Sequence, residues 1–195
     1  IDVVKKYNAA TKKLTVKIVQ TQDEKILFQF PLEIDVYENG KRVRHKVWVD
    51  ARKENSFTFS VATTPELVDI NPRGVIIATE NNNKSWKEYL YQLQHATDYK
   101  SRIEAVEATT ATEGKEILLT ALKDPFFKVR EKALQKLISY KLNPKELQVV
   151  EKVAETDSAN LVKAAAIWVL AATKDKKYSA IFEKALSIPS GAIKN

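Results

Sequence analysis

The hydrophobic period of this chain changes at the asparagine triplet of residues 81–83. Before the triplet, apolar and polar residues alternate, which is typical of a strand because successive strand side chains point to opposite faces. The clearest such run contains Phe28, Phe30, Leu32, Ile34 and Val36. After the triplet, residues such as Val129, Ala133 and Leu137 recur at the spacing of one helix face. The pattern predicts an α+β chain of two separate modules, an N-terminal antiparallel β-sandwich (1–83) and an all-α domain (84–195).

Turn signals and alternation predict the strands of the first module. Asn39-Gly40 is a strong hairpin signal, because both residues tolerate the positive φ of a type I′ turn. Pro31 lacks an N–H, so we expect its strand to lie at a sheet edge or to contain a bulge. The predicted strands span residues 14–20, 28–37, 43–49, 56–62, 67–70 and 75–79.

Capping signals predict the helices of the second module. Ser85 and Glu88 have the spacing of a capping box. Asp124-Pro125 and Asn143-Pro144 each place an acceptor at an N-cap and a proline at the first helical position. The predicted helices span residues 85–96, 99–112, 114–123, 125–141, 144–156, 158–173 and 175–187.

The fourth and sixth predicted helices repeat each other at a spacing of 33 residues (157 minus 124). The matched pairs are Asp124 and Asp157, Val129 and Val162, Arg130 and Lys163, Ala133 and Ala166, and Leu137 and Leu170. A fixed repeat of this length indicates stacked helical pairs, each presenting the same packing surface to its neighbour. The second module is therefore predicted to be a HEAT/armadillo-like helical-pair solenoid.

Composition and motifs exclude several kinds of site. The chain has no Cys and only four Gly, too far apart for a phosphate-binding loop, and neither His45 nor His95 begins a His-Glu-x-x-His motif. His95 and Asp98 could share a helix face, but no third ligand is indicated, and His45 is expected to pack within its sheet. We predict no catalytic, cofactor-binding or metal-binding residue in this chain.

The charge of the chain is positive but dispersed. The net charge is +7, with 13 basic and 11 acidic residues in positions 1–83 and 19 and 14 after them. The densest basic run, residues 41–46, is expected to be a solvated strand face, and we predict no nucleic-acid partner. No membrane span or signal segment is recognisable, which favours a soluble protein of undetermined compartment, and the absence of any Met leads us to expect a piece of a longer chain.

The order of several short segments resembles the C-terminal region of the aminopeptidase N family, the zinc gluzincin aminopeptidases. The matching segments are Gln20-Thr21-Gln22, Phe30-Pro31-Leu32-Glu33-Ile34, Asn39-Gly40, Asp69-Ile70-Asn71-Pro72 and the run from Asp98 to Ala105. The resemblance implies that a catalytic domain with the zinc ligands precedes Ile1, that this chain itself holds no cofactor, and that the helical domain closes over the catalytic cleft. Its partners would be that upstream catalytic domain and, through it, peptide substrates.

Three functions remain open at this point. The first is the non-catalytic part of a zinc aminopeptidase, which supports the catalytic domain and shapes the substrate cavity. The second is a free-standing helical-repeat scaffold that binds a protein partner. The third is nucleic-acid binding through the basic surface.

Overall fold

The structure of the chain is a computed structural model, and it describes residues 1–23, 25–110 and 114–186. The chain forms two compact units, Ile1–Ser101 and Arg102–Asn195. The helix that follows the asparagine triplet thus belongs to the first unit. The domain boundary between residues 83 and 84 stays a prediction.

The first unit contains six strands and one complete helix. The strands are β1 (Asp2–Asn8), β2 (Lys13–Val19), β3 (Phe30–Glu38), β4 (Lys41–Val49), β5 (Glu54–Ser60) and β6 (Leu67–Ile70), and α1 spans Trp86–His95. They form two antiparallel sheets, sheet A with the order β1-β2-β5 and sheet B with the order β4-β3-β6.

The two sheets bury one shared apolar core. Sheet A contributes Val3, Leu14, Val16 and Ile18, and sheet B contributes Leu32, Ile34, Val36, Val49, Val68 and Ile70. These residues alternate along each strand, so one face of each sheet is apolar, as the sequence pattern predicts. The sandwich is confirmed.

Two segments of the first unit differ in secondary structure from the prediction made from the sequence. Strand β1 was not predicted, since it is an edge strand in which Val3 is the one fully buried residue. Residues 75–79 do not form a strand, because the side chain of Asn71 forms hydrogen bonds with both backbone groups of Ile76. Its Oδ1 accepts the N–H of Ile76 at 3.2 Å, and its Nδ2 donates to the carbonyl at 2.9 Å. Pro31 lies in the central strand of sheet B without a bulge, but β6 pairs only with residues 34–37, so one side of Pro31 has no strand neighbour.

The described residues of the second unit form short helices. They are α2 (Tyr99–Glu107), whose first turn lies in the first unit, α3 (Lys115–Ala121), α4 (Phe127–Leu137), α5 (Pro144–Thr156), α6 (Asn160–Ala172) and α7 (Ser179–Leu186), which follows a 3-10 turn at Lys176–Tyr178. Residues at the repeat positions, including Val129, Ala133, Leu137, Val162, Ala166 and Leu170, are fully buried. The α+β two-module fold class is therefore confirmed. The predicted ends of the second helix, at residue 112, and of the seventh, at residue 187, lie outside the described residues.

The predicted capping box at Ser85 is present, and so is the predicted N-cap at Asn143, which also forms a capping box with Glu146. The predicted N-cap at Asp124 is wrong, since α4 begins three residues later. Asp124 instead accepts the N–H of Phe126 at 2.8 Å, and Asp157 accepts that of Ala159 at 2.8 Å. Each aspartate thus closes a turn before its helix, and its carboxylate is also held by an arginine.

Candidate functional site

The outer face of sheet B is a buried polar surface in the first unit. Glu33, Asp35 and Tyr37 alternate with the core residues of β3, so they point away from sheet A. The outer face of a sandwich sheet is commonly solvated, yet Asp35 is 0% exposed and Glu33 is 6% exposed. Helix α1 contacts the neighbouring strand β6 on this side. We call this set of buried polar groups the polar layer.

One part of the polar layer is a closed hydrogen-bond chain around Lys84. The Lys84 Nζ donates to Asp69 Oδ1 at 2.9 Å and to Gln92 Oε1 at 2.7 Å. Gln92 Nε2 donates to the carbonyl of Ser101 at 2.6 Å, and the Ser101 hydroxyl donates to the other oxygen of Asp69. Asp69 and Lys84 have side chains that are 0% exposed. A lysine held in this way is screened from any substrate, so its role is to fix the residues between β6 and α2.

Arg44 links strand β4 to the segment after α1. Its guanidinium donates to both oxygens of Asp35, each at 2.7 Å, and to Asp98 Oδ2 at 2.6 Å. The hydrogen bond to Asp35, opposed by burial and aided by Asp98, raises the pKa of Arg44. Arg42 reaches Thr97 at 2.5 Å and Asp98 at 3.5 Å. Two arginines of the basic run at residues 41–46 are thus engaged with carboxylates, which leaves less free positive charge than the sequence suggests.

Tyr37 completes the polar layer beside α1. It packs edge-on against Tyr91 of α1, with ring centroids 5.8 Å apart. Burial, followed by the nearby charges of Asp35 and Asp69, raises the pKa of Tyr37 to about 12. A phenol with this pKa stays protonated at neutral pH, so it is a poor candidate for a general base.

A second cluster ties the loop after β6 to the start of α2. Arg73 Nε donates to Glu33 at 2.7 Å, and this hydrogen bond is the main cause of a lowered pKa for Glu33. Asn71 Nδ2 donates to Glu80 at 2.8 Å, and Lys100 Nζ donates to the same carboxylate at 2.9 Å. Glu80 therefore connects the loop of Asn71 with the helix residue Lys100.

Gln20 organises the end of the sandwich. Its side chain is fully buried, and its amide donates to the carbonyls of Phe28 at 2.7 Å and Asp50 at 3.2 Å. Its Oε1 accepts the N–H of Phe28 at 2.9 Å. One amide side chain satisfies backbone groups from two loops where no strand supplies a partner.

The histidines are packed rather than assembled with other ligands. His45 stacks on Phe59 with ring centroids 4.1 Å apart, and burial lowers its pKa. His95 stacks on Tyr91 at 4.1 Å, while Asp98 is held by Arg44. Within residues 1–23, 25–110 and 114–186, no group of three or more His, Asp or Glu side chains could hold a metal ion. The absence of catalytic, cofactor and metal residues from the whole chain stays a prediction.

The helical unit is held by a ladder of arginine–aspartate pairs. Arg102 Nε donates to Asp124 at 2.7 Å, and Arg130 donates to both oxygens of Asp157 at 2.7 and 2.8 Å. Arg130 also donates to the backbone carbonyl of Asp124 at 2.8 Å. Burial alone would raise the pKa of Asp157, but hydrogen bonds from Arg130 and a backbone N–H lower it. The 33-residue repeat identified these residue types, whereas their pairing with the following aspartate required the structure.

Comparisons with known proteins agree with the helical part of this description. Residues 86–171 match a family described as HEAT repeats, a span that is under half of the chain. No curated protein sequence matches the chain. A similar solved structure is the crystal structure of Legionella pneumophila aminopeptidase A in complex with aspartic acid, at 14% identity and a TM-score of 0.49. That similarity covers 97% of this chain and 24% of the other, so the chain spans about a quarter of the length of that protein.

These findings support a helical scaffold of HEAT-like repeats preceded by two antiparallel sheets. In the part of the chain that the structure describes, every helix is too short or too polar to cross a membrane.

Proposed function

We propose that this chain is the non-catalytic sandwich and helical-repeat portion of a zinc aminopeptidase. In this proposal a preceding catalytic domain holds the zinc ion and hydrolyses the N-terminal peptide bond. The present chain supports that domain and shapes the cavity through which peptides reach the metal.

The observation that carries the proposal is the position of the residues that resemble the aminopeptidase N family. Seven of them are hydrogen-bonded polar residues of the first unit, of which Asp98 and Lys100 are half-buried and the others are buried, namely Gln20, Glu33, Asp69, Asn71, Asp98, Lys100 and Ser101. Other matching residues, among them Thr21, Pro31, Asn39 and Gly40, are exposed, so the proposal rests on these seven. Their concentration in one structural role favours a shared architecture, in which a sandwich and its first helix are joined by buried polar groups.

A second candidate function is a free-standing scaffold that binds a protein partner through its helices. It is favoured by Leu161 and Trp168, which lie seven residues apart on one face of α6 and are 39% and 55% exposed. Large exposed apolar side chains on a repeat helix are typical of a surface that contacts another chain.

The sequence that precedes Ile1 in the gene separates the two candidates. A His-Glu-x-x-His motif there supports the aminopeptidase proposal, because two histidines one helical turn apart bind zinc and the glutamate acts as the general base. Its absence would leave the scaffold as the better function.

An activity assay then tests the proposal directly. The full-length protein should release an aminoacyl-anilide product in a reaction that a zinc chelator abolishes, and the 195-residue chain alone should release none under the same conditions with added zinc. Chelator-sensitive turnover by the 195-residue chain alone would refute the proposed division of labour.

A further inference from the structure

A groove between α3 and α5 in the helical unit has a composition that no function above requires. Lys115 and Lys123 lie on one side of it and Lys145 and Lys152 on the other, and Leu119 and Val149 line it between these lysines. Val149 and Lys152 follow Lys145 by four and seven positions, so the three side chains lie on one face of α5. We call this surface the α3–α5 groove.

The charges of the α3–α5 groove are only partly matched within the chain. Lys115 Nζ lies 3.0 Å from Glu146 Oε1, and this ion pair joins the two walls at one end. Within the described residues, Lys123, Lys145 and Lys152 form no salt bridge, and Glu116 is the one acidic lining residue without one. Three free ammonium groups therefore face a single free carboxylate.

The floor of the groove is apolar. Val149 is 42% exposed, although most valines of this unit are buried, and Leu119 is partly exposed beside it. An apolar strip between lysines can bury an aliphatic side chain while the ammonium groups bind carboxylates on either side. Along α5 the groove extends from Lys145 to Thr156, about 16 Å at about 1.5 Å per residue. An extended peptide of about five or six residues covers that distance at about 3.3 Å per residue.

We propose that the α3–α5 groove binds an acidic peptide segment in which glutamates or aspartates flank aliphatic residues. The carboxylates pair with Lys123, Lys145 and Lys152, and the aliphatic side chains cover Leu119 and Val149. A peptide fits better than a nucleic acid, because none of the described residues that line the groove is an aromatic ring on which a base could stack, and Glu116 and Glu146 lie against it. This inference stands on the helical unit alone and does not depend on an attached peptidase.

Fluorescence anisotropy of a labelled peptide tests the inference with the 195-residue chain. The probe has the sequence Glu-Leu-Glu-Glu-Leu-Glu, and its matched control has glutamine in place of every glutamate. We expect the acidic probe to bind more tightly than the control peptide and its affinity to fall with added salt. Absence of binding at protein concentrations up to about 1 mM would overturn the proposal.

Paired variants locate the binding site. The double variant K145E/K152E should weaken binding of the acidic probe at least about tenfold, since it removes two attractive charges and adds two repulsive ones. The control double variant K141E/K174E makes the same change in net charge outside the groove and should leave the affinity within about twofold. Equal losses in the two variants would show that net charge, and not the groove, attracts the peptide.

The apolar floor and the competing ligand class have their own controls. Val149→Ser should weaken the acidic probe about fivefold through lost apolar contact, whereas Ile138→Ser, a change at a similarly exposed residue, should not. A labelled thymidine oligonucleotide that bound more tightly than the peptide, and that lost affinity in K145E/K152E, would overturn the proposal in favour of nucleic acid. Unchanged circular dichroism melting curves establish that each variant is folded.

Discussion

Lys84→Met tests whether the polar layer holds the first unit together. Lys84 and Asp69 are fully buried and 2.9 Å apart, and at an effective dielectric constant of about 20 their attraction is about 6 kcal/mol. The net stabilisation by the pair is smaller than this attraction, because removing each ion from water costs several kcal/mol. Removing one partner is different, since the desolvation of the other is then uncompensated. We expect Lys84→Met to lower the free energy of unfolding by about 3–5 kcal/mol, because the buried Asp69 loses its cation and Gln92 loses the hydrogen bond from Lys84.

Urea denaturation followed by tryptophan fluorescence measures this loss. Trp48 and Trp86 lie in the first unit and Trp168 in the second, so a Trp168→Phe background makes the signal report on the first unit. Lys87→Met is the matched control, because Lys87 is an exposed lysine of α1, and it should change the free energy by less than about 0.5 kcal/mol.

A double-mutant cycle gives the decisive result. In Lys84→Met with Asp69→Asn, no buried charge of this pair is left unpaired, so the double variant should be more stable than the sum of the single losses by at least about 2 kcal/mol. Additive losses, or a Lys84→Met loss no larger than that of Lys87→Met, would refute the reasoning that the two charges are mutually dependent.

Three further outcomes follow from individual contacts. Arg130→Met should destabilise the helical unit by about 2–3 kcal/mol, because the buried Asp157 loses both of its guanidinium donors, as measured by urea denaturation followed at Trp168. His45→Phe should keep the stacking on Phe59. Because the pKa of His45 is lowered in the folded chain, the unfolded chain binds the proton first, and the wild-type protein should lose stability as the pH falls below about 6.5. The variant should lack this loss, as measured by melting temperature against pH. Gly40→Ala should cost about 1 kcal/mol in the same denaturation assay, since Gly40 has φ +70°.

Each of these outcomes has a control or a contrary result. Lys132→Met removes an exposed ion pair with Glu107 and should change the free energy of unfolding by less than about 0.5 kcal/mol. If Arg130→Met had an equally small effect, the arginine–aspartate pairs would not stabilise the helical unit. If the melting temperature of His45→Phe depended on pH as it does in the wild type, groups other than His45 would cause that dependence. Apart from the chain neighbours of Gly40, no described atom lies within 4 Å of the place that the added methyl group would take, so a loss well above about 1 kcal/mol would contradict an explanation by backbone conformation.

Local signals predicted much of the fold. The capping box at Ser85, the N-cap at Asn143 and the turn at Asn39-Gly40 depend on residues within four positions of one another, and all three are present. The burial of the repeat positions was also predictable, since stacked helices must present similar surfaces. Strand β1 was missed because an edge strand buries few side chains and so leaves a weak alternation.

The partners of the polar layer were not predictable from the sequence. Asp35 stands at a polar position of an alternating strand, where the pattern predicts exposure to solvent, and Asp69 lies directly opposite it in the β3–β6 register. Which cation meets each of them depends on strand register and on chain segments 9 and 15 positions away, at Arg44 and Lys84. A hydrophobic pattern describes one strand or helix at a time, so it predicts the apolar core but not these long-range ion pairs.

The two adjacent carboxylates also explain why the polar layer can fix a geometry rather than add stability. Buried ion pairs commonly stabilise a fold no more than apolar side chains of the same shape would. Here, however, Asp35 and Asp69 repel each other unless each has its own cation, and the cations come from different parts of the chain, β4 and the segment before α1. Arrangements of α1 against sheet B that displace Lys84 from Asp69 leave a charge unpaired, whereas an apolar interface would tolerate small displacements. The polar layer therefore selects one placement of the first helix on the sandwich within the first unit.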